Sequence, residues 1–123
     1  MNSSQLKESH ILSLWLGNVR SFNELDEYVM NGFENDFGFE FDQPNSPEID
    51  AHDSLLNVQD LLSNFSFSKE WLNEALISCK NAEWSHAHCA VIFFHICYPE
   101  TLNKLSRDGG KLTFIGNIHW QTK

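Results

Sequence analysis

Hydrophobic positions along this 123-residue chain fall into two patterns. Some runs are nearly continuous. Ile11, Leu12, Leu14, Trp15 and Leu16 leave few polar places in residues 10–19, and Cys89–Cys97 is apolar almost throughout. Runs of this kind suit strands buried on both faces, with 88–97 at the centre of the sheet. A third strand is expected over 111–121, carrying Leu112, Phe114, Ile118 and Trp120. Elsewhere the spacing is helical. Phe22, Leu25 and Val29 form one face over 22–31, and Ser21 with Glu24 makes a capping box at its start. Leu55, Leu56, Val58, Leu61, Leu62 and Phe65 predict a helix over about 53–64. Trp71, Leu72, Ala75, Leu76 and Cys79 predict another over 69–81, with Ser68 as its cap and Phe67 and Leu72 as a hydrophobic staple.

Between the first two helices, Phe37-Gly38-Phe39-Glu40-Phe41-Asp42 alternates as a half-exposed strand would. Pro44 and Pro47 break the chain after it. Tyr98-Pro99 ends the central strand. A loop over 100–110 follows, with a helical turn at Thr101–Leu105 and a tight turn at Asp108-Gly109-Gly110. Residues 1–9 read as a flexible start, leaving a single domain over 10–121. The expected fold class is α+β, a single-domain α/β sandwich in which helices pack on a mostly antiparallel sheet. Trp15, Trp71 and Trp120 are expected in the core, and Trp84, beside Glu83 in a turn, at the surface.

One phrase occurs twice. Leu14-Trp15-Leu16-Gly17-Asn18-Val19 lies near one end and Thr113-Phe114-Ile115-Gly116-Asn117-Ile118 near the other. Glycine inside a strand marks a bulge or a close backbone approach. The two phrases therefore predict neighbouring strands in one sheet.

Charge is unevenly placed. The net charge is −9, yet no Lys or Arg lies between Arg20 and Lys69, a stretch that carries eleven acids. Such a block repels nucleic acid and anionic membrane and attracts a basic partner. The basic residues form no stripe and are not interleaved with aromatics, which disfavours a nucleic-acid groove. No apolar run is long enough to span a bilayer. A polar start containing Glu8 does not read as a secretory signal, and three cysteines without framework spacing suit a reduced, cytoplasmic setting.

Signals for chemistry are weak. His86 and His88 would share one side of a strand, but no further metal ligands have the required spacing, so neither a metal nor another cofactor is expected. Asn18, Asp36 and His119 would form a general acid–base set if the Gly-Asn strands brought them together. Nucleophile, phosphate-cradle and cofactor motifs are absent, and a non-enzymatic protein is the better expectation.

The first phrase, with Ser21-Phe22-Asn23-Glu24-Leu25-Asp26-Glu27-Tyr28 after it, resembles the opening of a bacterial immunity-protein family, the one numbered twenty-two and formerly a domain of unknown function. Asp36-Phe37-Gly38, the strand Ala90–Phe94 and Phe114-Ile115-Gly116-Asn117 extend the resemblance over about residues 10–121. Trp15, Gly17, Asn18, Gly116 and Asn117 are its structural motif positions. Gln43-Pro44-Asn45-Ser46-Pro47 departs from the more continuous acidic segment expected there. The resemblance implies a stoichiometric inhibitor of a cognate secreted toxin, one with a basic active site such as a nuclease. Asp36, Phe39, Glu40, Phe41, Asp42, Glu48, Asp50 and Asp53 are the expected partner-binding residues, with acids for steering and Phe39 and Phe41 as anchors. The alternative is an intracellular interaction module without a toxin partner.

Overall fold

The computed structural model describes residues 3–38, 40–42, 45–99 and 111–120. Four strands form one antiparallel sheet: β1 (Lys7–Gly17), β2 (Glu48–Asn57), β3 (His86–Ile96) and β4 (Leu112–His119), in the order β2-β3-β1-β4. The helices are α1 (Phe22–Asn31), α2 (Phe33–Phe37), α3 (Val58–Leu62) and α4 (Ser68–Asn81). The result is the expected α+β class.

Alternation along the two central strands builds two cores. Trp15, Val91 and Phe93 point to one face and pack with Leu25, Val29, Phe33 and Phe37 of α1 and α2. Leu12, Leu14, Leu16, Ala90 and Ile92 point to the other and pack with Leu61, Leu62, Trp71 and Ala75 of α3 and α4. The sheet is therefore covered on both sides, which explains why the β1 and β3 sequences are so continuously apolar. Trp15 is fully buried at the centre of the first core. Its ring meets those of Phe33, Phe37, Phe93, Tyr98 and Phe114 at centroid distances of 4.9–5.7 Å, within the range of favourable aromatic pairs.

The twin phrases do lie on neighbouring strands, and each glycine has its own reason. Gly17 pairs with Leu112, and a Cβ there would sit 2.2 Å from the Lys111 carbonyl oxygen. Gly116 lies at a bulge: Leu14 pairs with Gly116 and Trp15 with Phe114, leaving Ile115 as the extra residue. A larger irregularity separates the Lys7–Ile96 and Leu12–Phe94 pairs of β1 and β3. His10 and His95 there both take left-handed backbone, and both rings lie against Trp120.

Several sequence expectations are corrected. The first strand begins earlier than residue 10: a 3₁₀ turn covers Ser3–Leu6, β1 begins at Lys7, and the Cys97 N–H donates to the Leu6 carbonyl at 2.9 Å. Among the described residues of the alternating run 37–42 none lies in a strand beyond an isolated bridge at Glu40. Phe33 and Phe37, four apart, both face Trp15 from α2, and left-handed Gly38 stops that helix by donating to the Glu34 carbonyl. Phe39 lies outside the described residues, as do Gln43, Pro44 and the loop and turns expected over 100–110. The helix expected over 53–64 begins only at Val58. Leu56 and Asn57 still pair with Ala87 and His86 of β3, and Asn57 then caps α3 by accepting from the Asp60 N–H at 2.8 Å. At α4 the cap position belongs to Phe67, in left-handed backbone and 65 % exposed, so neither the Ser68 cap nor the staple forms. Trp84 is half-buried against the second core.

Candidate partner interface

The acidic stretch is divided by the sheet. Ile49 and Ala51 of β2 pack on the α1–α2 core, so the intervening Glu48 and Asp50 project towards the opposite face. Glu48 accepts from the Ser66 N–H at 3.0 Å, in the turn before α4, and Asp50 lies 2.8 Å from His52 Nε2. Asp53 lines a cleft of about 680 Å³ with Asn18, Arg20, Glu24 and Lys111. The residues expected to act together thus occupy three places.

The α1–α2 side has the densest run. Glu24, Asp26, Glu27, Glu34, Glu40 and Asp42 are all exposed there. Asp36 is held differently: half-buried, it accepts a hydrogen bond from the Tyr28 hydroxyl, which ties α2 to α1. Burial, reinforced by the hydrogen bond and charge of Asp36, holds the Tyr28 phenol well above its ordinary range. Lys111 Nζ lies 5.7 Å from the centre of the same ring. Glu40 sits at an isolated bridge, and Asp42 accepts from the Asn45 side-chain amide. Phe41 is half-buried with its ring 5.1 Å from that of Phe93, so most of it belongs to the core rather than to a free anchor.

Sequence reasoning missed the apolar members of this face. Phe22, assigned to the buried side of its helix, is 52 % exposed, and Met30 is 65 % exposed. The signal was present, because Phe22, Asp26 and Met30 repeat every four residues and so share one stripe. Leu25, Tyr28 and Val29 make the buried face instead.

The other candidate sets are dispersed. His119 pairs with Ile11, whereas Asn18 follows Gly17 at the other end of β1, roughly 20 Å away at the rise of an extended strand. Asn117 is a structural clip. Its side chain accepts from the Tyr98 N–H at 2.9 Å and donates to the Tyr98 carbonyl at 2.8 Å, with the buried Ser13 hydroxyl 2.6 Å from its Oδ1. His86 Nδ1 lies 3.0 Å from the Ser85 hydroxyl. His88 Nδ1 lies 3.1 Å from the His52 carbonyl, which can only accept, so this nitrogen carries the proton. Among the described residues no three potential metal ligands gather, and no helix is long and apolar enough to cross a membrane. No protein-family model matches the chain, and neither does any curated protein or solved structure.

Proposed function

We propose that this chain is an immunity protein that works in the cytoplasm. It binds a cognate secreted bacterial toxin and neutralises it by stoichiometric inhibition, through its acidic surface. The observation that carries the reading is the α1–α2 side, where Glu24, Asp26, Glu27, Glu34, Glu40 and Asp42 stand exposed in a stretch without a single Lys or Arg. A nuclease-type toxin has a basic active site because it binds phosphate. An acidic surface of this density attracts such a site from a distance and covers it on contact. The Trp-Leu-Gly-Asn opening and its capped acidic helix support the same reading by resemblance.

The test is co-expression with the product of the neighbouring gene. Co-purification as a one-to-one complex, together with rescue of cells from that product's toxicity, is the expected result. A neighbouring product that is not toxic, or whose toxicity persists beside excess of this protein, overturns the reading.

A further inference from the structure

A groove of about 330 Å³ runs between α1 and the start of β2. Val29, Phe41 and Ile49 line it from the core, and Phe22, Met30 and Pro47 from the surface. Asp26 shares it, one helical turn from both Phe22 and Met30. Among the described residues Asp26 has no ion-pair partner, the one such pair being His52–Asp50.

We propose that this groove receives a lysine or arginine side chain of a basic partner protein, its aliphatic stem against Phe22, Met30 and Ile49 and its charged head on Asp26. The proposal rests on the reading of the chain as a binder of a basic protein. Charge and shape select the occupant together. A wholly apolar side chain would cover the walls but leave a carboxylate desolvated and unpaired, which is costly. A compact cation would satisfy Asp26 but leave the apolar walls wet. Only a cation on a long apolar stem meets both requirements. A second copy of this chain is disfavoured as the partner, since each copy brings a charge of −9 and the same acidic helix face.

The experiment measures affinity for the neighbouring toxin with wild type, Asp26→Asn, Phe22→Gln/Met30→Gln, and Glu74→Gln, exposed on α4 at the other side of the sheet, as a charge control. All the altered side chains are surface positions, and circular dichroism checks that each variant is folded. Weakening of at least about tenfold in the first two variants, with little change in the control, is expected of a central anchor site. Equal weakening in all three, or none, overturns the groove while leaving the toxin reading intact. If wild type binds no toxin, the reading falls, and the groove is judged by NMR titration with a short Leu-Arg-Leu peptide and its neutral citrulline counterpart. Amide shifts confined to residues 22–30 and 46–49, and seen only with arginine, support the groove. Shifts elsewhere, equal shifts with citrulline, or no shifts overturn it.

Discussion

At the scale of single residues, the twin Gly-Asn phrases separate into unequal partners. Gly17 faces a backbone oxygen that cannot yield, whereas a Cβ at Gly116 would meet only Ser78, at 3.8 Å. Gly17→Ala is therefore expected to cost about 1–3 kcal/mol through overpacking. Gly116→Ala should be neutral or gain up to about 1 kcal/mol from lower chain entropy. Urea unfolding of the two variants checks the contrast. The asparagines differ in the same way. Asn117→Ala removes both side-chain bonds to the Tyr98 backbone, whose N–H keeps the Ser13 hydroxyl at 3.1 Å, a loss of about 1–3 kcal/mol. Asn18 is exposed, and Asn18→Ala should stay within about 0.5 kcal/mol of wild type in the same assay.

At the scale of elements, the end of α4 is an unexpected feature. The Trp84 N–H donates to the Cys79 carbonyl at 2.8 Å and the Glu83 N–H to the Lys80 carbonyl at 3.0 Å, the two bonds of a Schellman motif. The left-handed position in that motif favours glycine, yet Glu83 occupies it at φ 63°. Glu83→Gly is expected to stabilise the protein by about 1 kcal/mol, seen as a higher urea midpoint with an unchanged slope. A loss of stability would show that the Glu83 side chain contributes more than its backbone costs. The motif also explains why Trp84 is half-buried rather than exposed. The turn folds its ring back over the second core, a consequence of helix termination that a composition reading of Glu83-Trp84-Ser85 does not contain.

At the scale of the whole molecule, both cores bury groups that resist ionisation. Burial raises Cys79 and Cys89 from 9.0 to about 11 and Tyr98 from 10.0 to about 12, and Tyr28 is raised as well. Each folded value lies above the unfolded one, so each group's contribution is complete below its ordinary value and is lost as pH rises through the folded value. Stability should thus fall from about pH 9 upward as the Cys79, Cys89 and Tyr98 contributions are lost, and keep falling past pH 12 through Tyr28, which urea midpoints from about pH 8 to 12 would show as a steady decline. Tyr98→Phe should fall less steeply above pH 10. Charge acts at the same scale. Glu40→Lys with Asp42→Lys alters exposed sites and should leave the fold intact while slowing association with the proposed toxin partner, most strongly at low salt. An unchanged on-rate at low salt would remove these two acids from the mechanism.

The sequence by itself determined β1, α1, α4, β3 and β4, because each carries its own burial pattern: Leu12, Leu14 and Leu16 alternate with Trp15, and Trp71, Ala75 and Cys79 keep a helical stripe. It also determined that the twin phrases are neighbours and that one long segment is acidic. Tertiary structure decided the middle of the chain. Leu55 and Leu56 suit a helix locally, but pairing of Leu56 with Ala87 and of Asn57 with His86 holds the end of 48–57 in the edge strand β2. Phe37 alternates with its neighbours locally, but packing on Trp15 holds it in a helix. It decided the candidate interface as well, since an edge strand sends Glu48 and Asp50 to one face while α1 and α2 keep their acids, with Phe22 and Met30, on the other. The physical reason is that a local pattern records which side of an element is buried, whereas strand pairing is set by residues distant in the chain, and that pairing fixes where every charge on the strand emerges.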